Sequence, residues 1–234
     1  MRDGAVKIDR RTAMAGLAGL LAVRPALAGR DPPPVAHGVL ANNALAQAFE
    51  KTRSDLPDVT LVGPQGEFSI LTLKGRTILM PLWAEWCAPC LCEIPDFAKL
   101  QKKYGNERFA VMPVLTGTGK QMTPAAITSV FNVLHAGNLA PLMEKNYGRK
   151  LLNTMARTQD GFAIPCNLLI APDGSVVGRE IGRLATPDAS EGPAPAKTKD
   201  PETVTRAIAG QAQSLWGKPE GEEFAAAMAA GFLG

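Results

Sequence analysis

Histidine is nearly missing from this chain: His37 and His135 are the two copies in 234 residues. A structural zinc site needs four soft ligands. The cysteines supply one C-x-x-C, Cys87 to Cys90, with Cys92 beside it and Cys166 alone, and no second C-x-x-C follows. A tetrahedral metal clip is therefore poorly supplied, and no metal ligand set and no cofactor are expected.

Long apolar runs are missing as well. The stretch TAMAGLAGLLAV, residues 12 to 23, spans only about 18 Å as a helix, against roughly 30 Å of hydrocarbon core. It reads as a cleaved signal rather than a membrane anchor, and Ala26-Leu27-Ala28 after it has the small-x-small pattern of a cleavage site. Arg10-Arg11 and the weakly apolar core resemble a twin-arginine signal, although Thr12-Ala13-Met14 departs from that pattern, so both export routes stay open. No cysteine stands near residue 29 to take a lipid.

Net charge is absent beyond that segment. Arg2, Lys7, Arg10, Arg11 and Arg24, opposed by Asp3 and Asp9, carry the whole formal charge of +3. The rest of the chain is formally neutral, which argues against nucleic-acid binding and against a polybasic membrane patch. With 46% hydrophobic and 20% charged residues the composition is that of a folded protein. No internal repeat is visible.

Along the chain, ANNALAQAFEKT (41–52) predicts a short helix. DVTLVG and GEFSILTL, joined at Pro64-Gln65-Gly66, predict a hairpin. TILMPLW (77–83) is an apolar run of the kind found in a strand buried on both faces. Residues 88–104 have helical spacing broken by Pro95, and FAVMPVLTG (109–117) predicts one strand. Thr123-Pro124 starts a second helix, with Thr as cap and Pro in the first turn, running to about His135. A short strand is expected in NLAPLM, a helix around 144–157, and two strands in CNLLIAPDGSVVGREIG joined at Pro172-Asp173-Gly174. The low-complexity link ATPDASEGPAPAKTKD precedes a helix over 201–216 and an Ala-rich tail helix. This order suggests a mixed sheet covered on both faces by helices. His135 reads as a surface or cap residue, and His37 as solvated.

Export changes the reading of WCAPC, residues 86–90. Disulfides persist outside the cytosol, and there a C-x-x-C is a plausible dithiol switch. A cysteine at the start of a helix has its thiolate stabilised by unpaired N–H groups and by the helix dipole. The expected chemistry is exchange: Cys87 attacks a substrate disulfide and Cys90 resolves the mixed disulfide. A static staple across two residues would close too small a loop to stabilise much. Trp83 and Trp86 are expected to form an apolar collar, and Pro89 to shape the bridge.

The segment LMPLWAEWCAPCLCEIP, with the Ile164-Pro165 and Pro-Asp-Gly hairpin region, resembles the thioredoxin superfamily, and within it the exported TlpA/ResA-type thiol-disulfide oxidoreductases. The resemblance covers about residues 58 to 183. It implies an α/β, thioredoxin-like fold with a central mixed sheet flanked by helices and an N-terminal β-hairpin extension. The implied organisation is a signal peptide (1–28), a linker with a short helix (29–57), a thioredoxin-like domain (58–216) and a tail helix (217–234).

The resemblance further implies that Cys87 attacks and Cys90 resolves, and that Glu93 is the acidic residue beside the dithiol. Pro165 would be a cis-proline facing the pair, with Ile164, Trp86 and Pro89 contacting substrate. Implied partners are disulfide-bonded proteins, apocytochromes or metal-site assembly factors among them, and a membrane thiol-disulfide electron donor in the periplasm. Spacing alone places Glu93 on the face of Cys90, where a carboxylate disfavours thiolate; the other reading is an exposed helix glutamate.

Pro81 stands where thioredoxins carry a buried aspartate, and a proline inside a strand is expected at an edge or bulge. Cys92, about 200° round the helix from Cys90, is expected to point into the core. Cys166, next after Pro165, is a candidate for a second disulfide or a soft-metal ligand. A rival reading is a Cu(I)-binding chaperone using Cys87, Cys90 and Cys92 or Cys166.

Overall fold

The computed structural model describes residues 40–117, 122–182 and 214–231. The signal segment, His37, the link from 185 to 200 and most of the helix expected over 201–216 lie outside the described residues.

Helix α1 (Ala44–Ala48) is capped by Asn43, whose side chain accepts from Ala46 N–H. It is shorter than its sequence predicts, because Phe49 turns into the core and the chain continues as strand β1 (Glu50–Asp55). β1 runs antiparallel along β11 (Ser175–Ile181) at one edge of the sheet. Its sequence, EKTRSD, is polar because an edge strand keeps water on one side and its charges discourage pairing with other chains. That polarity hides the strand from an apolar-alternation test.

Strands β2 (Thr60–Gly63) and β3 (Gly66–Ser69) form the expected hairpin, with Gly66 at φ 106° in the turn. The second half of the predicted strand is instead a 3-10 turn, Ile70–Thr72, capped by Ser69, which sends Ile70 into the core.

β4 (Thr77–Trp83) is buried at every residue and central in the sheet. On one side it pairs antiparallel with β10 (Cys166–Ile170). On the other it pairs in parallel first with β5 (Phe109–Val111) and then with β6 (Val114–Leu115). The strand expected over 109–117 is thus split at Met112-Pro113. Pro81 corrects the edge-or-bulge expectation, since it lies within the central strand opposite Asn167 of β10. Its missing N–H falls where the parallel ladder passes from β5, which reaches Leu79, to β6, which begins at Leu82. At that break no ladder donor is needed.

β7 (Leu142–Glu144) pairs with β6 and with β2, so the sheet runs β1-β11-β10-β4-β6-β7-β2-β3. A small hairpin, β8 (Arg157–Thr158) with β9 (Gly161–Phe162), stands apart and was not expected. Helices α2 (Ala88–Tyr104) and α3 (Pro124–Val133) contribute Ile94, Phe97, Ile127 and Phe131 to the core on the sheet face that carries Leu79, Trp83 and Leu169. α4 (Lys150–Met155) contributes Leu151 and Leu152 to the other face, with Met80, Leu82 and Leu168.

The Ala-rich tail packs rather than frays. α5 (Pro219–Ala230) buries Phe224 and Met228 completely, and Trp216 just before it is also at 0% exposure. Phe224 stacks on Phe49 with centroids 5.4 Å apart, and Trp216 lies 5.1 Å from Phe97. Each such aromatic burial is worth about 1.5–3 kcal/mol, so α5 is held by its apolar face, not by helix propensity.

Candidate active site

The site starts where β4 ends. Trp83 is buried at 1% and packs on Phe131 at 5.6 Å, and this anchors the strand's last residue in the core. The chain then turns, with Cys87 N–H donating to the Ala84 carbonyl, and enters α2. Cys87 is the N-cap: its Sγ accepts from Cys90 N–H at 3.3 Å. Ala88 and Pro89 fill the first turn, where a proline loses no intrahelical bond. Pro95 lies inside the same helix.

Cys87 and Cys90 are joined in a disulfide, with Cα atoms 5.3 Å apart. Both are buried, at 4% and 2% exposure, whereas Trp86 is 52% exposed. The Trp86 Nε1–H donates to the Gly117 carbonyl at 3.4 Å. This corrects the collar expectation: Trp83 belongs to the core beneath the pair, and Trp86 alone presents an indole at the surface. On reduction, a thiolate at Cys87 would inherit the Cys90 N–H and the positive end of the α2 dipole.

The peptide bond Ile164–Pro165 is cis. β10 begins at the next residue, with Cys166 opposite Leu82 of β4, so Ile164–Pro165 lies at the end of the sheet where β4 leads to Cys87. Ile164 is half-buried. The β8–β9 hairpin just before it presents Phe162, 37% exposed, with the Arg149 guanidinium 5.4 Å from the ring centroid. Trp86 and Phe162 are exposed and Ile164 is half-buried.

Glu93 is 1% exposed, so the exposed-glutamate reading does not hold. Cys92 is half-exposed, which corrects its expected burial. The rotation of about 200° from Cys90 is sound, but Cys90 occupies the buried side of α2, so the rotation carries Cys92 outward. Cys166 is fully buried and belongs to the core on the opposite face of the sheet from Cys87 and Cys90. A disulfide or a shared metal between Cys166 and the pair is thereby ruled out. Burial, with the Glu180 charge adding to it, pushes the Cys166 thiol up to about 12. His135 is exposed beyond the end of α3 with φ 54°. Among the described residues no group of three His, Cys, Asp or Glu side chains is arranged to hold a metal ion.

Two polar groups were missed by sequence reasoning. Glu144 is 4% exposed and accepts from Thr116 Oγ1 at 2.9 Å and from the N–H groups of Lys150 and Leu151, so it caps α4 and braces the loop carrying Gly117. Glu180 and Asn167 are buried together, with Asn167 Nδ2 donating to Glu180 Oε2 at 2.8 Å. Asn167 interrupting the apolar run CNLLI was the available signal.

The sequence profile of the family described as Redoxin matches residues 51–192. The chain belongs to the Redoxin family. Among its relatives, the thioredoxin-like protein YneN of Bacillus subtilis is 44% identical over 65 residues, which is 27% of this chain and 38% of that protein. A thioredoxin of Coprinus comatus is 32% identical over 68 residues, covering 29% of this chain and 64% of its own length. The thiol-disulfide oxidoreductase ResA of Bacillus subtilis is 27% identical over 138 residues, 56% of this chain and 68% of ResA. The first two alignments thus span less than two thirds of those relatives. Among solved structures, a pneumococcal exposed lipoprotein thioredoxin from Streptococcus pneumoniae matches with TM-score 0.43 at 21% identity, over 65% of this Redoxin chain and 98% of its own. A thiol:disulfide interchange protein from Chlorobium tepidum matches with TM-score 0.44 at 20% identity, over 68% and 97%.

Proposed function

We propose that this chain is a thiol-disulfide oxidoreductase that reduces protein disulfides through Cys87 and Cys90. The observation that carries the reading is the Cys87–Cys90 disulfide at the N-terminus of α2, with the exposed Trp86 immediately before it.

In the reduced enzyme the Cys87 thiolate attacks one sulfur of a substrate disulfide. A mixed disulfide forms and the other substrate sulfur leaves as a thiolate. Cys90, deprotonated, then attacks Cys87 Sγ, which re-forms the Cys87–Cys90 bond and expels the second substrate thiolate. Two electrons pass from the pair to the substrate, and the two substrate thiolates take up protons. Glu93, buried three residues after Cys90, serves as base for that thiol. Trp86, Pro89, Ile164 and Pro165 form the surface on which an extended substrate segment lies.

The protein works in the periplasm after removal of its signal segment, and a membrane thiol-disulfide donor restores the dithiol. Its substrates are disulfide-bearing proteins, apocytochromes or metal-site assembly factors being the classes that the sequence resemblance implies. No helix among the described residues is long and apolar enough to cross a membrane.

Reduction of insulin, followed with Cys87→Ser and Cys90→Ser variants, tests the reading. Activity lost in both supports it; stoichiometric Cu(I) binding by an inactive wild type would overturn it in favour of a copper chaperone. Equilibration with glutathione sets direction, since a potential near about −120 mV means an oxidant and one below about −230 mV a reductant.

A further inference from the structure

Glu180 is a buried carboxyl for which the exchange reaction, as written above, has no use. It is 3% exposed, in the strand β11, and Asn167, at 0%, donates to it. Asn167 Oδ1 is buried and has no hydrogen-bond partner among the described residues. Burying such a pair in a sheet is costly unless position repays it.

The position follows from strand alternation. On β4, Leu79 and Trp83 share a core cluster with Cys87, Cys90 and α2, whereas Ile78, Met80 and Leu82 share the other. Pro81 therefore points to the dithiol's side of the sheet. Asn167 is the cross-strand neighbour of Pro81, and Glu180 is the cross-strand neighbour of Asn167. The row Pro81, Asn167, Glu180 crosses the sheet on the face that α2 covers. Proline at 81 brings no ionisable group, so any carboxyl in this row comes from a neighbouring strand.

From α2, Cys90 belongs to the core cluster on that face, and Glu93, three residues further on, is also buried. From β1, Lys51 stands opposite Gly178, and Phe49 packs against that glycine. Arg179, next in sequence, bonds Glu50 Oε2 and the Met155 carbonyl instead. Cys166 lies on the other face of the sheet.

We propose that Glu180, oriented by Asn167, is a positioning residue whose charge state sets how readily the Cys87–Cys90 dithiol ionises: neutral Glu180 permits thiolate and ionised Glu180 opposes it. The inference rests on the exchange function proposed above. Glu180 is neither oxidised nor reduced and finishes each turnover with the proton it began with; the two electrons still pass from the cysteine sulfurs to the substrate disulfide. Burial raises the Glu180 carboxyl to about 7, and the Asn167 N–H acts against that rise, so the switch lies where dithiols titrate.

The test is the pH profile of iodoacetamide alkylation at Cys87 in the reduced full chain, resolved by peptide mass spectrometry. Wild type is expected to show an inflection near pH 7 that disappears in Glu180→Gln, with Cys87 more reactive in the variant above that pH by up to about tenfold per unit of thiol shift. Asn167→Ala, which removes the bond favouring the ionised form, is expected to move the inflection upward. Superimposable profiles for wild type and Glu180→Gln overturn the inference. If that variant does not fold, carboxyl-carbon NMR of wild type decides: reciprocity requires different Glu180 midpoints in the oxidised and reduced protein, and equal midpoints overturn it. Re-oxidation of the wild-type pair by glutathione disulfide separates the two readings. Failure there removes both, whereas success with unchanged profiles removes this one alone.

Discussion

Thr116 Oγ1 donates to Glu144 Oε2 at 2.9 Å inside the protein, and the same carboxylate receives the first N–H groups of α4 from Lys150 at 2.8 Å and Leu151 at 3.2 Å. One buried side chain thus joins β7, α4 and the residue that follows β6, behind the loop whose Gly117 carbonyl holds Trp86. Replacing Glu144 by Ala leaves those donors without acceptors and is expected to cost about 3 kcal/mol. Urea denaturation measures it. Glu144→Gln, which keeps an acceptor, should lose clearly less.

Gly117 has φ 64°, and a Cβ there would stand 2.6 Å from Leu152 Cδ2. Gly117→Ala is therefore expected to destabilise the fold by about 1–3 kcal/mol. Loosening of the Trp86 seat should appear as a changed indole fluorescence spectrum in the folded protein; an unchanged midpoint and spectrum would contradict this account.

Cys166 faces away from the redox pair. Cys166→Ala should leave insulin reduction unchanged. In the folded wild type, with the thiol raised to about 12, Cys166 should resist alkylation at pH 8 and become reactive only in denaturant. A disulfide found between Cys166 and Cys87 or Cys90 would refute the placement.

The pH dependence of stability has a defined sign at Glu180. Its folded value, about 7, lies above the ordinary 4.5, so the folded state holds the proton more tightly than the unfolded chain does. Its contribution is fully present below about pH 4.5 and is lost as the pH rises through about 7. Denaturation midpoints of wild type and Glu180→Gln, measured between those pH values, should converge or diverge accordingly: wild type weakens relative to the variant as the pH climbs.

Much of this was legible in local sequence. Cys87 as helix cap, Thr123 with Pro124 opening α3, the fully buried TILMPLW strand and the Pro-Asp-Gly hairpin all depend on neighbours within a few residues, and those neighbours are in plain view. What escaped depended on distant partners. β1 is polar because it is an edge, and edges are defined by what is absent beside them. Cys92 and Cys166 needed the orientation of α2 and the register of β10 before their faces could be known. Glu144 and Glu180 drew no attention in the sequence, and only α4's N-terminus and Asn167 explain their burial. Pro81 suggested an edge or bulge because the break it sits beside lies in its partner, at Met112-Pro113.

The aromatic contacts of α5 bear on how this protein would fail. Phe49, Phe97, Trp216 and Phe224 form one group contributed by segments far apart in sequence. Clipping the chain before Trp216 would leave the redox pair itself intact but would uncover Phe49 and Phe97 together. Damage at that end would register first as loss of solubility, a colloidal fault, while the chemistry at Cys87 still ran in whatever fraction stayed dispersed.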